Sequence, residues 1–444
     1  MNQKNETTSI VDQYQNELAL AKAEDKPVEL GKIHEKIAKR HFDVTEYEEG
    51  LKHFDKAINQ AKRINDRALE AFYLGSKGTA YLQHKLPEEG FICFQQILEI
   101  AEEINDIGLK SDALGSMGLV YMETGDPGLA IQKVKEALDL AEELKDQRRT
   151  MAQLGTLGNT YLLLAATEDA EKYFGRALEI AIELGDPQSR AGYLNNLAII
   201  LDNGGRKDEA KAQFEDVLKI SREIEDKYAQ RNALQYLINL ELELNPHSDL
   251  VLSYLENAIA LSKELKDTKE IKNYRDYQIM ILLRLNRQAD AVAVINDELK
   301  DEGQEGDIKR KINLYSNLGN AHYDLGDLSL ATTAYQQGLD TATKNEFPAA
   351  QARFLGKLGA VCADNGELDP AKTYTAKSLE MAETLNDVPL QAEQLSLLAM
   401  TYADLNKKDK AEELANKALA LFEEGGHKLY VERIRSFLND LKAK

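Results

Sequence analysis

Apolar residues recur along the chain at helical spacing, and the whole pattern then repeats. One copy runs from Arg148 to Asp186 and reads RRTMAQLGTLGNTYLLLAATEDAEKYFGRALEIAIELGD. Its first half has leucines at Leu154 and Leu157, a small residue at Gly158 and a bulky one at Tyr161. A turn and a second apolar stripe follow. Because residues at this spacing lie on one face of a helix, each copy predicts two amphipathic helices joined by a tight turn.

Aspartates mark the end of each copy. They lie 40 residues apart at Asp66, Asp106, Asp146, Asp186 and Asp226. After one inserted residue they resume at Asp267 and Asp307, and the next is Asp387, two periods later. A fixed period between about 20 and 50 residues is typical of a solenoid. We expect each aspartate to cap the first helix of the next copy, because its carboxylate accepts the unpaired backbone N–H groups there. Pro187 follows Asp186 at the first helical position, where no N–H is needed.

A small residue occupies one register of the first helix in most copies. These residues are Gly78, Gly118, Gly158, Ala198, Gly319, Gly359 and Ala399. Glycine inside a helix costs about 1 kcal/mol relative to alanine. Its recurrence therefore predicts a steric need, namely a close crossing of two helices.

The order of leucine, small residue, tyrosine, turn, alanine and aromatic residue resembles the tetratricopeptide repeat. The period of that family is about 34 residues, whereas it is 40 here. The longer form is similar to the repeats of Pins-like spindle adaptors, kinesin light chains and some bacterial peptide-responsive regulators. The tract LNNLAIILDNGGRKDEA, from Leu194, is especially similar to the kinesin light chain repeat. The resemblance implies an all-α fold, a right-handed superhelical solenoid of antiparallel helix pairs with about ten repeats.

The repeats divide the chain into five predicted segments. These are a disordered tail and capping helix (1–26), repeats one to five (27–226), irregular repeats six and seven (227–307), repeats eight to ten (308–426) and a C-terminal capping helix (427–444). In repeats six and seven the small residue becomes Ile238 and then Ile279. These two repeats are either a hinge or a product of neutral drift, and the sequence favours neither.

Composition limits the classes of partner. The chain has 444 residues, a net charge of −21 and a pI near 4.9. This argues against a nucleic acid or an anionic membrane as partner, because both need clustered lysine and arginine. The two cysteines, Cys93 and Cys362, form no disulfide or zinc pattern, and the N-terminus has no apolar signal core. A cytoplasmic location is therefore expected.

Motifs for catalysis are missing from the sequence. There is no GxxxxGK phosphate loop, and the HExxH zinc motif that begins at His34 fails because its fifth position is Ala38. His34 and His41 share a helix face, but two histidines without a third ligand make a poor metal site. We expect a non-enzymatic protein without cofactors or metals.

A row of side-chain amides is the best candidate for a binding site. In the resembled family the first helices line the concave face. Transfer of the groove positions to this chain gives the peptide-binding candidates Asn159, Asn195, Asn196, Asn232, Gln235, Tyr236, Asn239, Asn273, Tyr277, Asn313, Asn317 and Asn320. An amide offers both a donor and an acceptor, so it can hold an extended peptide backbone at both groups. Leu119, Ile199 and Met280 belong either to this groove or to the core.

The sequence therefore predicts a scaffold or adaptor that binds a peptide segment of a partner protein in its concave groove. The alternative is a peptide-responsive regulator of the signal-peptide receptor type, which changes superhelical pitch when its ligand binds. Chain ends of solenoids can also stack, and Ile434, Phe437 and Leu438 of the last helix could support end-to-end self-association.

Overall fold

The computed structural model describes residue 14, residues 16–303 and residues 306–443. Within these ranges every regular element is an α-helix, which confirms the all-α prediction. Helix α1 is described at residues 16–23. The other helices are Pro27–Asp43 (α2), Tyr47–Arg63 (α3), Arg67–Gln83 (α4), Pro87–Glu103 (α5), Ile107–Glu123 (α6), Pro127–Glu143 (α7), Gln147–Leu163 (α8), Thr167–Glu183 (α9), Pro187–Asn203 (α10), Lys207–Glu223 (α11), Lys227–Leu244 (α12), Leu250–Glu264 (α13), Thr268–Arg284 (α14), Gln288–Glu302 (α15), Ile308–Asp324 (α16), Leu328–Lys344 (α17), Pro348–Asp364 (α18), Leu368–Thr384 (α19), Val388–Asp404 (α20), Lys408–Glu424 (α21) and Lys428–Ala443 (α22).

The helices form two compact units, one ending at Leu240 and one starting at Glu241, so the division falls inside α12. Each unit is a solenoid of antiparallel helix pairs, in which even-numbered helices come first and odd-numbered helices second. Most helices have 17 residues and most connections have three, which makes the 40-residue period. Connections this short bring consecutive helices side by side in opposite directions.

One aspartate both ends a helix and starts the next one. The backbone N–H of Asp66 donates to the carbonyl of Ala61 at 3.0 Å, and Asp66 Oδ1 accepts from the backbone N–H of Leu69 at 2.9 Å. The first bond closes a Schellman turn and the second caps α4. Between them, Asn65 adopts a left-handed φ of 56°. All eight periodic aspartates cap a helix through the side chain, as the sequence predicts.

The repeated small residues lie where two helices cross. A Cβ added at Gly158 would lie 2.6 Å from the ring of Phe174 on the second helix of the pair. At Gly78 the added atom would lie 2.8 Å from Phe94. Phe174 is fully buried and Phe94 nearly so. The predicted steric need is therefore present, since the ring of the second helix occupies the space of the missing side chain.

Terminal helices cover the ends of the hydrophobic core. In α1, Leu18 and Ala21 pack against Leu30, Ile33 and Ile37. Residues 1–13, where the disordered tail is predicted, lie outside the described residues.

Helix α22 packs in the same way at the other end of the chain. Ile434 and Leu438 are buried in a cluster with Leu414 and Phe422 of α21, and Phe437 is partly buried against it. Ile434 and Leu438 are thus used within the fold, which leaves them unavailable for stacking of chain ends.

Candidate functional site

Five of the predicted groove residues line one open groove between α10 and α12. The groove has a volume of about 800 Å³, and its lining includes Asn195, Asn196, Asn232, Gln235 and Tyr236. We call this the amide groove. All of its lining residues belong to the first unit, and none is lysine or arginine.

Helical register explains why these side chains face the groove. In α10, Leu194, Leu197 and Ala198 are buried in the pair, so the intervening Asn195 and Asn196 lie on the open face of the helix. Both asparagines are half-buried. The placement follows from a stripe of apolar residues at positions three and four apart.

Tyr236 forms part of the wall of the amide groove. Its ring stacks on the buried ring of Phe214, with centroids 4.5 Å apart and planes 5° from parallel. The stack fixes the ring and leaves the other face toward the groove. A rigid aromatic side chain supplies contact area at little cost in conformational entropy.

The side-chain amides of the groove make few hydrogen bonds within the chain, and those they make are long. Asn196 Nδ2 donates to Asn159 Oδ1 at 3.4 Å, and Gln235 Nε2 donates to Asn239 Oδ1 at 3.3 Å. These are long bonds, and they place Asn159 and Asn239 beside the groove. No side-chain hydrogen bond of Asn195 or Asn232 is found among the described residues. Most of the donors and acceptors of the row are therefore open to a ligand.

The other five predicted residues belong to the second unit. Asn273 and Tyr277 are exposed on α14, and Asn313 is exposed on α16, where Asn317 and Asn320 are half-buried. Asn273 donates to Glu270 at 3.2 Å.

Asn320 differs from the rest of the predicted row. Its Oδ1 accepts from Tyr335 Oη at 2.8 Å and from Lys357 Nζ at 2.6 Å. Two strong donors occupy this oxygen, so Asn320 holds its neighbours in place and has only its NH₂ group left for a ligand.

Three apolar residues, for which the sequence allowed either the groove or the core, lie on the open face. Leu119 and Met280 are 40% and 47% exposed, and Ile199 is half-buried. Their open position gives the first helices apolar contact points between the polar ones.

Two further grooves were not predicted. One, of about 710 Å³, lies in the first unit on α2, α4 and α6 around the exposed ring of Phe72. The other, of about 790 Å³, lies in the second unit on α18, α20 and α22, and its lining includes Arg353, Lys357 and Arg433. The amide groove and the second-unit groove occupy the same helical register, so the period that led to the amides could also have led to these cations.

Histidines come together in the first repeat in a way that the sequence did not indicate. His53, from α3, lies beside both histidines of α2, with its Nδ1 3.1 Å from His34 Nδ1 and its ring centre 5.6 Å from that of His41. Burial lowers the pKa of His34 and of His53 to about 4. Within the described part of the chain, no three His, Cys, Asp or Glu side chains are arranged so that they could hold a metal ion.

Both cysteines are buried as free thiols. Burial raises the pKa of Cys93 to about 11 and also raises that of Cys362. Each is therefore protonated near neutral pH, which is unsuitable for a nucleophile. None of the helices in the described ranges is long and apolar enough to span a lipid bilayer.

Comparisons with known proteins agree with the repeat pattern. Tetratricopeptide repeat models match residues 109–183, 150–223, 350–424 and 312–345, which together cover about half of the chain. A curated relative, the outer dynein arm-docking complex subunit 4 of Mus musculus, is 26% identical over 114 residues. That match spans 26% of this chain and 18% of the relative.

Two solved structures are similar to the chain at low sequence identity. Aspartyl phosphate phosphatase F from Bacillus subtilis is 14% identical, with a TM-score of 0.45 over 85% of this chain and 92% of that one. The kinesin light chain repeats of Podosopora anserina are 14% identical, with a TM-score of 0.37 over 44% of this chain and 96% of that one. From the repeat matches and the helix-pair architecture, the chain belongs to the tetratricopeptide repeat superfamily.

Proposed function

We propose that this protein-interaction scaffold binds an extended segment of a partner protein in the amide groove. The observation that supports the proposal is that Asn195, Asn196, Asn232, Gln235 and Tyr236 line one groove of about 800 Å³. The candidates were selected by their position in the repeat, and a groove that holds five of them is of a size that suits a peptide.

The mechanism is recognition of the peptide backbone by preorganised amides. Each amide offers a donor and an acceptor to a peptide N–H or C=O. A net contribution of about 1 kcal/mol per hydrogen bond, together with apolar contact on Tyr236, supports an affinity in roughly the micromolar range. The helices hold the amides in place, so most of the entropy cost of binding falls on the ligand.

Neutral amides also determine what the groove selects. Backbone groups are the same in every peptide, so the amides favour an extended conformation over any particular sequence. Selectivity must then come from side-chain contacts beside the row, such as those on Tyr236. The alternative of a receptor that changes superhelical pitch stays a prediction.

Affinity capture with matched variants tests the proposal. The groove variant combines Asn195→Ala, Asn196→Ala and Asn239→Ala. The control combines Asn59→Ala, Gln95→Ala and Gln96→Ala, three exposed amides on the second helices α3 and α5. We expect a partner that wild type and the control capture equally and that the groove variant loses. Equal capture by all three proteins would place the binding surface elsewhere.

A further inference from the structure

The groove on α18, α20 and α22 differs from the amide groove in its charge. Its lining includes Arg353 and Lys357 from α18 and Arg433 from α22, opposed by the carboxylates of Asp387 and Glu393. We call it the cationic groove. Its lining thus carries one more positive than negative charge, in a chain with a net charge of −21. Such a reversal of sign concentrated on one face selects for anionic ligands.

The two carboxylates only partly compensate the cations. Asp387 caps α20 by accepting from the backbone N–H of Leu390 at 3.2 Å, and its distance of 3.7 Å to Arg353 Nη2 is long for an ion pair. Burial raises the pKa of Glu393, although attraction to Lys357 and Arg353 partly opposes this shift. Arg433 has no carboxylate within 4.0 Å among the described residues. Its guanidinium is open to a ligand.

The direct contacts that position Lys357 in the cationic groove are made by neutral groups, and the carboxylates of Glu393 and Asp324 act on it only by charge attraction. The ammonium of Lys357 donates to Asn320 Oδ1 at 2.6 Å and lies 5.3 Å from the ring centre of Tyr335. Burial lowers its pKa. No carboxylate lies within 4.0 Å of its ammonium among the described residues, so an anion bound nearby would add to the compensation that Glu393 and Asp324 give from farther away.

A buried hydrogen-bond acceptor in the same groove is unsatisfied. Gln394 is 5% exposed, and its Oε1 has no hydrogen-bond partner among the described residues. The amide rests against Gly356, where an added Cβ would lie 2.7 Å from Gln394 Nε2. A buried acceptor without a donor destabilises the fold. Because Gln394 lines the groove, a ligand N–H can satisfy it.

Apolar groups form another part of the wall. Tyr430 stacks on the buried ring of Phe422, with centroids 4.9 Å apart and planes 12° from parallel. Met400 also lines the groove and is 42% exposed. The groove therefore combines cations, an unsatisfied acceptor and apolar contact surface.

We propose that the cationic groove binds an acidic segment of a partner protein through internal aspartate or glutamate side chains. The carboxylates would lie at Arg353, Lys357 and Arg433. A backbone N–H of the segment would donate to Gln394 Oε1, and a neighbouring apolar side chain would pack on Tyr430. A peptide is favoured because it is the ligand that presents all three kinds of group within one groove of about 790 Å³.

The site goes beyond the proposed backbone recognition, because it gives selectivity for sequence. The test uses the full chain and two pools of fluorescent peptides, acetylated and amidated at their ends. The pools are randomised except at fixed positions that carry glutamate in one pool and glutamine in the other. By fluorescence anisotropy in about 50 mM salt, we expect the glutamate pool to bind at least about 10-fold more tightly, with the preference falling at about 0.5 M as charges are screened.

Two variants assign the preference to the groove. Arg353→Gln combined with Arg433→Gln should weaken binding of the glutamate pool about 10-fold and leave the glutamine pool nearly unchanged. The control, Lys344→Gln combined with Lys377→Gln, removes the same charge from exposed positions on α17 and α19. It should keep the preference. An equal loss in the control would assign the effect to net charge and overturn the proposal.

Gln394→Leu separates ligand binding from a structural role. Leucine removes the unsatisfied acceptor, so the variant should be at least as stable as wild type while it binds the glutamate pool about 5-fold more weakly. Unchanged binding by this variant would contradict the role of Gln394.

Two further arms complete the test. A glutamine pool with a free C-terminal carboxylate shows whether a chain terminus alone is enough for binding. If this pool bound as tightly as the glutamate pool, recognition of internal side chains would be contradicted. Equal binding of the two capped pools would overturn the site altogether. The amide-groove variant should keep its preference for the glutamate pool. A wrong proposal for the amide groove can therefore be distinguished from a wrong proposal for the cationic groove.

Discussion

Removal of Arg310 should destabilise the second unit, because this arginine holds together a buried cluster of charges. Arg310 is 8% exposed. Its guanidinium donates to Asp276 at 2.7 Å, to Glu298 at 2.7 Å and to Glu302 at 2.6 Å. Glu302 also pairs with Lys272 at 2.6 Å. The cluster joins α14, α15 and α16 at the point where α15 ends early, at Glu302.

The magnitude follows from what the substitution Arg310→Met leaves behind. Methionine has a similar length but no charge, so Glu298 and Glu302 would stay buried after losing their common partner. Loss of one partner from a buried ion pair costs about 3–5 kcal/mol. For a unit of this size, that loss corresponds to a fall of roughly 10 °C in Tm.

Arg287→Met is a matched control. Arg287 pairs with Asp290 at 2.6 Å and with Asp249 at 3.3 Å, but all three side chains are exposed. Exposed pairs contribute at most about 1 kcal/mol. Thermal unfolding followed by circular dichroism should therefore show a large fall in Tm for Arg310→Met and a small one for Arg287→Met. Equal falls would refute the reasoning that burial makes the Arg310 cluster important.

Acid should reduce the stability that the Arg310 cluster contributes. Burial alone would raise the pKa of Glu302, but hydrogen bonds from Lys272 and Arg310 outweigh it and hold the pKa below its ordinary value. A depressed carboxyl pKa contributes stability above the pKa of the unfolded chain, and this stability is lost as pH falls through the folded-state pKa. Arg310→Met should thus differ most from wild type near neutral pH and less in acid.

Three substitutions and one change of pH test the first unit. Ala165 has a φ of 56° at a turn position that Gly125 and Gly205 occupy in the neighbouring repeats, so Ala165→Gly should raise the free energy of unfolding by about 0.5–1 kcal/mol. Gly158→Ala should lower it by about 1–3 kcal/mol, because the new methyl group meets a buried phenylalanine ring. Gly175→Ala, whose Cβ meets nothing within 4 Å, should raise it by about 1 kcal/mol. Urea titration measures all three, and a stabilising Gly158→Ala would contradict the packing argument. Because the pKa values of His34 and His53 lie near 4 in the folded chain and near 6.5 unfolded, the unfolded chain binds more protons between these values. Hydrogen exchange of α2 and α3 should accelerate as pH falls from 6.5 to 4, after correction for the intrinsic exchange rate, and unchanged protection would contradict this.

Local features were predictable from the sequence because they depend on neighbouring residues. Asp66 caps α4 by accepting from the backbone N–H of Leu69, three residues away, so the period of 40 was enough to place the starts of the eight first helices that an aspartate precedes. Gly158 could be assigned to a helix crossing because glycine there has a cost that only packing explains. The register of Asn195 and Asn196 followed from the apolar stripe on the same helix.

Features that depend on distant residues were not predictable in this way. His53 joins His34 across a turn, and the Arg310 cluster draws on three helices. The sequence predicts Asn320 as a ligand-binding residue, yet its side-chain oxygen already accepts hydrogen bonds from Tyr335 and Lys357. Such contacts depend on how side chains of different helices meet, and a periodic pattern does not contain that information.

Photo-crosslinking tests the amide groove most directly. A photoreactive phenylalanine analogue replaces Asn196 in one version of the chain and Gln95, exposed on a second helix, in another. After irradiation in native lysate, peptide mapping identifies what each position touches. We expect position 196 to crosslink to one defined segment of a partner protein and position 95 not to do so. Crosslinks to that segment from position 95 alone, or the same background at both positions, would contradict binding in the amide groove.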